Sequence, residues 1–461
     1  MTNVQARKIE ELKGGFKGEV LLPSDGAYES ARKIWNAMID KRPAVIARCA
    51  TTSDVVRGVS FARDNGLLLA VRGGGHNIAG SALCDGGIVI DLSLMKAAHV
   101  APDARRVTIE AGATLADLDA ATQAHGLATP AGINSTTGIA GLTLGGGFGW
   151  LSRKYGLTVD NLESVEVVTA AGEVIRANAT EHPDLFWALR GGGGNFGVVT
   201  RFEFRLHPVG PDLLSGLIVY PFADAKSVLQ QYRDFALKAP DELTVWVVMR
   251  KAPPLPFLPP EVHGKEVVVL AFLYAGDPAQ GEAIIAPVRR FGTPAGAHVG
   301  VQPYAAWQQA FDPLLAPGAR NYWKSHNFAK LDDGLFDVLI DAGRTLPSPH
   351  CEIFIASLGG ATSRQRPDSS AYGQRDALFL MNIHGRWENS TEDQRCISWS
   401  RELFKAAAPF ASGGVYVNFM SADEGDRVRA AYGGNYERLA RVKQQYDPGN
   451  LFRTNQNIRP A

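Results

Sequence analysis

An α+β protein of two domains is the fold class that the sequence predicts. Three observations carry that prediction. The chain has 461 residues, enough to bury more than one core and too long for one typical domain. Residues 40–208 alternate short apolar strands with helices. From about residue 210 to 415 the character changes to long strands of one sheet, some of them separated by helical stretches.

The elements follow in chain order. Residues 45–49 (VIARC) read as a short apolar strand. Ser53 is the expected N-cap of a helix over 54–65, with Val55, Val56, Val59 and Ala62 at helical spacing and Gly66 closing it. A buried strand over 67–71 runs straight into Arg72-Gly73-Gly74-Gly75-His76-Asn77, and 87–92 is another strand. Thr114-Leu115-Ala116-Asp117 resembles a capping box with Asp in place of Glu, opening a helix that ends near Gly126. Residues 165–169 and 173–175 flank Ala170-Ala171-Gly172 as a hairpin, and Pro183 suits the first turn of a helix through Leu189. Val198, Thr200, Phe202, Phe204 and Leu206 alternate with Val199, Arg201, Glu203 and Arg205, a half-buried strand.

In the second region, 246–248, 267–274, 353–355 and 378–387 are the predicted strands, and 223–237 and 392–407 the predicted helices. The proline-rich stretch 253–260 is an expected exposed loop. Residues 425–461 form a helix and a polar tail, with no internal repeat anywhere.

Composition narrows the function classes. Lys plus Arg and Asp plus Glu both total 47, so the formal net charge is zero. That removes the electrostatic reason to expect nucleic acid or an anionic membrane as partner. Cys49, Cys84, Cys351 and Cys396 show no CxxC spacing. Reduced, buried thiols of a cytosolic protein are the expectation, with a disulfide left open. The opening residues mix charges without an apolar core, and no apolar run nears the roughly 20 residues of a membrane span. A cytoplasmic location is expected, and the sequence is silent on oligomeric state. His99, His125, His182, His207 and His326 lack ligand spacing, so no metal site is expected.

The 49 glycines are the anomaly, because many fall in three tight clusters: 72–77, 145–149 and 191–197. Without Cβ, a backbone can bring several N–H groups onto an anion such as a pyrophosphate. Tight turns are the bland alternative, and one cluster alone would favour it. Gly192, Gly194 and Gly197 fit GxGxxG, but they follow a helix and precede a strand, the reverse of a Rossmann turn. No Gly-Lys-Ser/Thr ending makes a P-loop either.

Five segments carry a resemblance. They are Val71 to Gly80 (VRGGGHNIAG), Thr137 to Trp150 (TGIAGLTLGGGFGW), Tyr155 to Asn161 (YGLTVDN), Asp184 to Arg190 with Gly197 to Thr200, and Tyr446 to Arg453 (YDPGNLFR). In order and spacing, from about residue 40 to the C-terminus, they resemble the FAD-linked oxidases with a vanillyl-alcohol-oxidase (PCMH)-type FAD domain, in the berberine-bridge-enzyme-like branch near the bacterial hydroxynicotine oxidases. The resemblance implies a two-subdomain FAD-binding domain over 1–209 (core about 40–209). It implies an antiparallel-sheet substrate domain over 210–420, and a segment 421–461 that returns to the FAD domain.

The same resemblance assigns roles. His76 matches the histidine that bonds to the flavin 8α-methyl group, which requires a neutral imidazole as nucleophile. Arg72, Gly73, Gly74, Gly75, Asn77, Gly80, Thr137, Gly138, Gly141, Gly145, Gly147, Asp160, Gly197, Val199, Asn455 and Asn457 are the implied cofactor contacts. Many relatives have a second tether, a cysteine, where this chain has Asn134, so a single bond and no cysteinyl link is implied. Thr137 stands at the usually apolar oxygen-gating position, which leaves the acceptor open.

Tyr416 and Asn418 match a Tyr-x-Asn pattern, placed on a strand that would put Tyr416, Asn418 and Met420 on one face and Val415, Val417 and Phe419 on the other. Tyr416 is the implied proton acceptor, with a pKa that needs lowering. Residues 368–375 lack the glutamate base of plant alkaloid relatives, and Tyr372 is offered as a second site tyrosine. His384 shares a face with Asn382 and could meet a substrate, although packed histidines are commoner; Trp246, Phe354, Tyr322, Trp323 and Trp387 could wall the pocket.

The implied function is an oxidase. It takes a hydride from a small alcohol, amine or sugar to covalently held FAD, in a near-attack geometry at flavin N5. O2 is the expected acceptor, giving H2O2. Alternatives are a flavin dehydrogenase with another acceptor, or a flavin-binding protein without turnover.

Overall fold

A computed structural model describes residues 9–461; residues 1–8, which enter the expectation about the opening segment, lie outside the described residues. Strands β1 (Glu19–Leu21), β2 (Val45–Arg48), β3 (Leu69–Arg72) and β4 (Ile88–Asp91) form a sheet in the order β1-β2-β4-β3. β2 and β3 both run parallel to β4. Parallel neighbours need a crossover, and helix α1 (Thr52–Asp64) supplies it between β2 and β3. Its buried face is Val55, Val59 and Ala62, as the spacing predicts.

The cap of α1 is Thr51, not Ser53. The Thr51 side chain accepts from Asp54 N–H while the Asp54 carboxylate accepts from the Thr51 N–H, a reciprocal box that Ser53 cannot make from inside the first turn. Asp54 is fully buried and also accepts from the N–H groups of Lys17 (2.7 Å), Gly18 (3.1 Å) and Ala50 (3.0 Å).

A second, antiparallel sheet contains β5 (Ala98–Ala101), β6 (Arg106–Glu110), β7 (Leu162–Val168), β8 (Val174–Asn178) and β9 (Val198–Arg205), ordered β5-β6-β9-β7-β8. The predicted hairpin is β7–β8, with Gly172 at φ +86° in its turn. The predicted capping box holds: Thr114 caps α2 (Leu115–Gln123) with Asp117. Pro183 opens α4 (Pro183–Leu189), and short α3 (Ile139–Leu144) lies between them. The helix-then-strand order around Gly192 is thus observed, as the rejection of a Rossmann turn requires.

Residues 212–387 supply one seven-stranded antiparallel sheet. Its strands are β10 (Asp212–Pro221), β11 (Leu243–Lys251), β12 (Glu266–Tyr274), β13 (Gly296–Pro303), β14 (Arg320–Phe328), β15 (Glu352–Ser357) and β16 (Phe379–Trp387), ordered β13-β10-β12-β11-β15-β16-β14. Helices α5 (Ala225–Ala236), α6 (Asp333–Gly343) and α7 (Asp393–Ala407) cover one face of it around a core that includes Leu229, Met249, Phe336 and Trp399. The other face packs on the segment 148–159, with Trp150 stacked on Trp246 at 4.0 Å. Strand β16 is buried along its whole length.

The chain then comes back. Helix α8 (Tyr436–Tyr446) packs on α4, and the Lys443 ammonium, fully buried, donates to the carbonyls of Asn195 (2.7 Å) and Phe452 (2.9 Å) and to Asp447 (2.6 Å). Asp447 in turn accepts from Leu451 and Phe452 N–H, both at 2.8 Å. Removing one partner strands a buried charge. Lys443→Met is therefore expected to cost about 3–5 kcal/mol, read as an earlier first transition in denaturant unfolding. An unmoved transition would mean the pair does not pin this segment.

Candidate active site

A cavity of ≈ 340 Å³ lies where the loops of the first two sheets face the seven-stranded sheet. The loop after β3 forms one wall. Gly74 and Gly138 pack backbone to backbone, since a Cβ on Gly74 would lie 2.3 Å from Gly138 N and one on Gly138 2.2 Å from Gly74 N. Gly75 sits at φ +72°, a region open to glycine at no steric cost. Among the described residues, the N–H groups of Gly73, Gly74, Gly75, His76 and Asn77 donate to no protein acceptor. Consecutive unpaired N–H groups beside a cavity form a cradle for an anion.

His76 lies within this cradle. Its ring stacks on Trp35 at 5.1 Å, and its Nε2 lies 2.9 Å from Thr136 Oγ1. The Thr136 hydroxyl gives its one proton to Asn134 Oδ1 (2.7 Å), which also accepts from the Thr136 N–H (3.0 Å). Thr136 Oγ1 is left only as an acceptor, so His76 carries its proton on Nε2 and keeps the Nδ1 lone pair free. Burial and then the Arg386 guanidinium push the His76 pKa down to about 4. The imidazole is neutral.

The other wall comes from the sheet. Arg250, Glu352, His384 and Trp323 sit directly opposite one another on β11, β15, β16 and β14. Glu352 is salt-bridged to Arg250 at 2.9 Å, and its other oxygen meets His384 Nδ1 at 3.2 Å. Burial alone would raise the carboxyl, but Arg250 and His384 hold it at about 2. His384 Nε2 lies 3.3 Å from Asn321 Oδ1. Both ring nitrogens are in use. Beside them Asn382 Oδ1 is buried without a partner among the described residues.

Tyr416 and Asn418 close the space between the walls. The predicted strand over 415–420 is not formed. Residues Val417–Phe419 make a single 3-10 turn, with Phe419 N–H bonded to the Tyr416 carbonyl (3.0 Å). The two side chains still meet, because Asn418 Nδ2 donates to the Tyr416 hydroxyl oxygen at 3.0 Å and to the Leu142 carbonyl at 3.1 Å. Gly147 N–H donates to the same hydroxyl oxygen at 3.1 Å. Burial outweighs these two donors and pushes Tyr416 up to about 12.

Of the sequence-predicted cofactor residues, Gly73, Gly74, Gly75, His76, Asn77, Thr137, Gly138, Gly141, Gly197, Val199 and Asn455 line the cavity. Others stand behind it. Arg72 donates to the Ala31 carbonyl, Gly80 packs on Ile39, Gly145 on the Asn418 amide, and Asp160 is in a two-pronged ion pair with Arg375 at 2.7 and 2.8 Å. Asn457 Oδ1 is buried without a partner outside the lining. Tyr372 packs behind Tyr416, 6.3 Å between rings, and against Arg375; it does not line the cavity. Trp246, Phe354 and Trp323 do wall the cavity, whereas Tyr322 and Trp387 do not. Glu352 and Trp35 are lining residues that no motif marks. A lone carboxylate in the apolar run CEIFIAS is the signal that could have found Glu352.

Known proteins place this geometry. Residues 43–178 match the FAD binding domain family, and residues 415–459 match the family described as berberine and berberine like. An FAD-linked oxidoreductase of Dictyostelium discoideum is 33% identical over 98% of this chain and 97% of the relative. The chain belongs to the berberine-bridge-enzyme-like FAD-linked oxidoreductases. Also similar is (R)-6-hydroxynicotine oxidase of Paenarthrobacter nicotinovorans, 32% identical over 96% of this chain and 97% of that one. The crystal structure of 6-hydroxy-D-nicotine oxidase from Arthrobacter nicotinovorans superposes with TM-score 0.87 at 30% identity, covering 97% of this chain and 99% of that one. This berberine-like oxidoreductase therefore uses FAD, and the unpaired N–H cradle beside a neutral histidine fits that group. Among the described residues no cluster of His, Cys, Asp and Glu could hold a metal ion, and no helix is long and apolar enough to cross a membrane.

Proposed function

We propose that this oxidoreductase is an oxidase that holds FAD through one bond to His76 and removes a hydride from a small alcohol, amine or sugar, with O2 accepting the electrons to give H2O2. One observation carries the reading: a single cavity runs from the Gly73–Asn77 cradle and His76 to Tyr416, Asn382 and His384. Bound FAD supplies the two-electron acceptor.

The protein's residues do the rest. The Gly73–Asn77 N–H groups, with Thr137, Gly138, Gly141, Gly197, Val199 and Asn455, hold the cofactor. Asn134 stands where a second tether would be and instead fixes Thr136, which orients His76. Asn382 orients the substrate nitrogen or oxygen with its side-chain amide, which leaves the departing proton to Tyr416. Trp246, Trp323 and Phe354 exclude water, and Tyr416 takes the proton at its hydroxyl oxygen. Residues 1–209 and 421–461 act as the FAD-binding domain, and 210–420 as the substrate-binding domain. The four cysteines are free and buried, which suits a reducing, cytoplasmic compartment.

Thr137 lines the cavity at the position read as the oxygen gate, and its hydroxyl favours one second reading, a dehydrogenase that passes electrons elsewhere. An anaerobic screen of alcohols, amines and sugars, following loss of visible flavin absorbance, finds the substrate. An oxygen electrode during turnover then decides: O2 uptake matched by H2O2 supports the oxidase, and turnover with an artificial acceptor but no O2 uptake sinks it.

A further inference from the structure

A second chamber of ≈ 80 Å³ adjoins the cavity. The two spaces share Ile133, Trp246, Leu315, Glu352 and Phe354, so these side chains form the partition. Beyond them the walls are apolar. Leu217 and Val219 come from β10, Val248 from β11, Val269 from β12, and Leu255 and Leu258 from the proline-rich loop 253–260. That loop is held over the sheet at its base, where Ala252 N–H bonds to the Lys265 carbonyl and Gly264 N–H to the Ala252 carbonyl, both 2.8 Å. Its Leu258 packs with Val219, Val267 and Val269 in a small core of its own.

Among the described residues, charge enters the chamber only as Arg250 and Glu352, which neutralise each other at 2.9 Å. Packed interiors rarely leave a void larger than one water, and apolar voids of greater size stay dry and take apolar guests. At the ~10–15 Å³ that one water-sized group needs, this one holds roughly five to eight non-hydrogen atoms. The partition borders the polar end of the cavity, since Phe354 is paired across the sheet with Asn382 and Glu352 with His384.

We propose that the chamber seats an apolar arm of the substrate, while the nitrogen or oxygen beside the reacting carbon meets the Asn382 amide. The substrate class is thereby narrowed to alcohols or amines that carry an alkyl or aryl tail, and away from sugars. This rests on the cavity being the substrate site of a flavin oxidase, as proposed above.

Calorimetric titration of the holoenzyme with unreactive primary amides, from acetamide to decanamide, tests it. Their N–H suits Asn382 and their tails vary by single methylenes. Kd is expected to fall roughly fourfold for each CH2 buried and to level off once the tail outgrows the chamber. Leu258→Trp and, separately, Val248→Trp fill the chamber, and each is expected to weaken octanamide at least tenfold relative to acetamide. A flat series in the unaltered protein overturns the proposal, as does a length dependence that survives both variants. Colourless protein would sink the flavin reading instead, and the calorimetric series would still report on the chamber.

Discussion

His76→Ala is expected to send the flavin wholly into the supernatant on acid precipitation, where the unaltered protein keeps it with the polypeptide. The physical case lies in the tautomer. Thr136 spends its proton on Asn134, so His76 must place its own on Nε2, and Nδ1 is the free nucleophile. With a pKa of about 4, the neutral ring outnumbers the cation by roughly a thousand to one at pH 7. Lowering the pH removes the lone pair only as it falls through that value. Flavin attachment by apoprotein should therefore be flat from mildly acidic to alkaline pH and fail near pH 4. Trp35 holds the ring by stacking at 5.1 Å, which fixes its direction. A tryptic peptide containing residue 76 should carry the added flavin mass through Nδ1. Covalent flavin retained in His76→Ala would sink the assignment, and an attachment rate that climbs steadily between pH 5 and 8 would sink the account of the tautomer.

Much of the first two sheets was legible because their elements are simple. β2 is a short apolar run, α1 and β9 show the periods that their burial requires, and the Thr114–Asp117 box is written in four consecutive residues. The α1 cap was displaced because Thr51, Thr52 and Ser53 are all capping residues, and only the Asp54 carboxylate, held by distant Lys17 and Gly18, selects among them.

The seven-stranded sheet was half legible. β14 is hidden because its sequence, RNYWKSHNF, is polar although buried: Asn321, Lys324 and His326 reach partners that sequence cannot show, and the Ser325 and Asn327 side chains are buried with no hydrogen bond among the described residues. β13 is a partly exposed edge strand with three small residues, and β10 follows a run of prolines and glycine. The turn at Val417–Phe419 imitates a strand on paper, since Tyr416, Asn418 and Met420 alternate with apolar residues. Its shape is set by Gly147 and Leu142, far away in the chain, which capture the tyrosine oxygen and the asparagine amide. The pocket walls were the least legible part: Glu352 and His384 become neighbours only through the β15–β16 register.

Tyr416→Phe is expected to slow flavin bleaching by substrate at least tenfold, and the pH dependence says why. The hydroxyl oxygen already accepts from Gly147 N–H and Asn418 Nδ2, so its own proton has no lone pair to share locally and is offered to the cavity. These two donors favour the phenolate, but burial in a ring of Phe148, Phe419 and Tyr372 outweighs them, leaving the group near 12. No described cation contributes to lowering it. A raised pKa means that the base form is scarce at neutral pH and gains about tenfold per pH unit until that value is reached. Single-turnover bleaching should therefore rise with pH, with a slope near one and no plateau below about pH 10. Tyr416→Phe should flatten that slope as well as lower the rate. Asn418→Ala removes one of the two donors, which shifts the titration further upward and lowers the rate at fixed pH without abolishing the slope. A plateau in the neutral range would hand the proton to another group, and an unchanged rate in Tyr416→Phe would leave this hydroxyl with a packing role only.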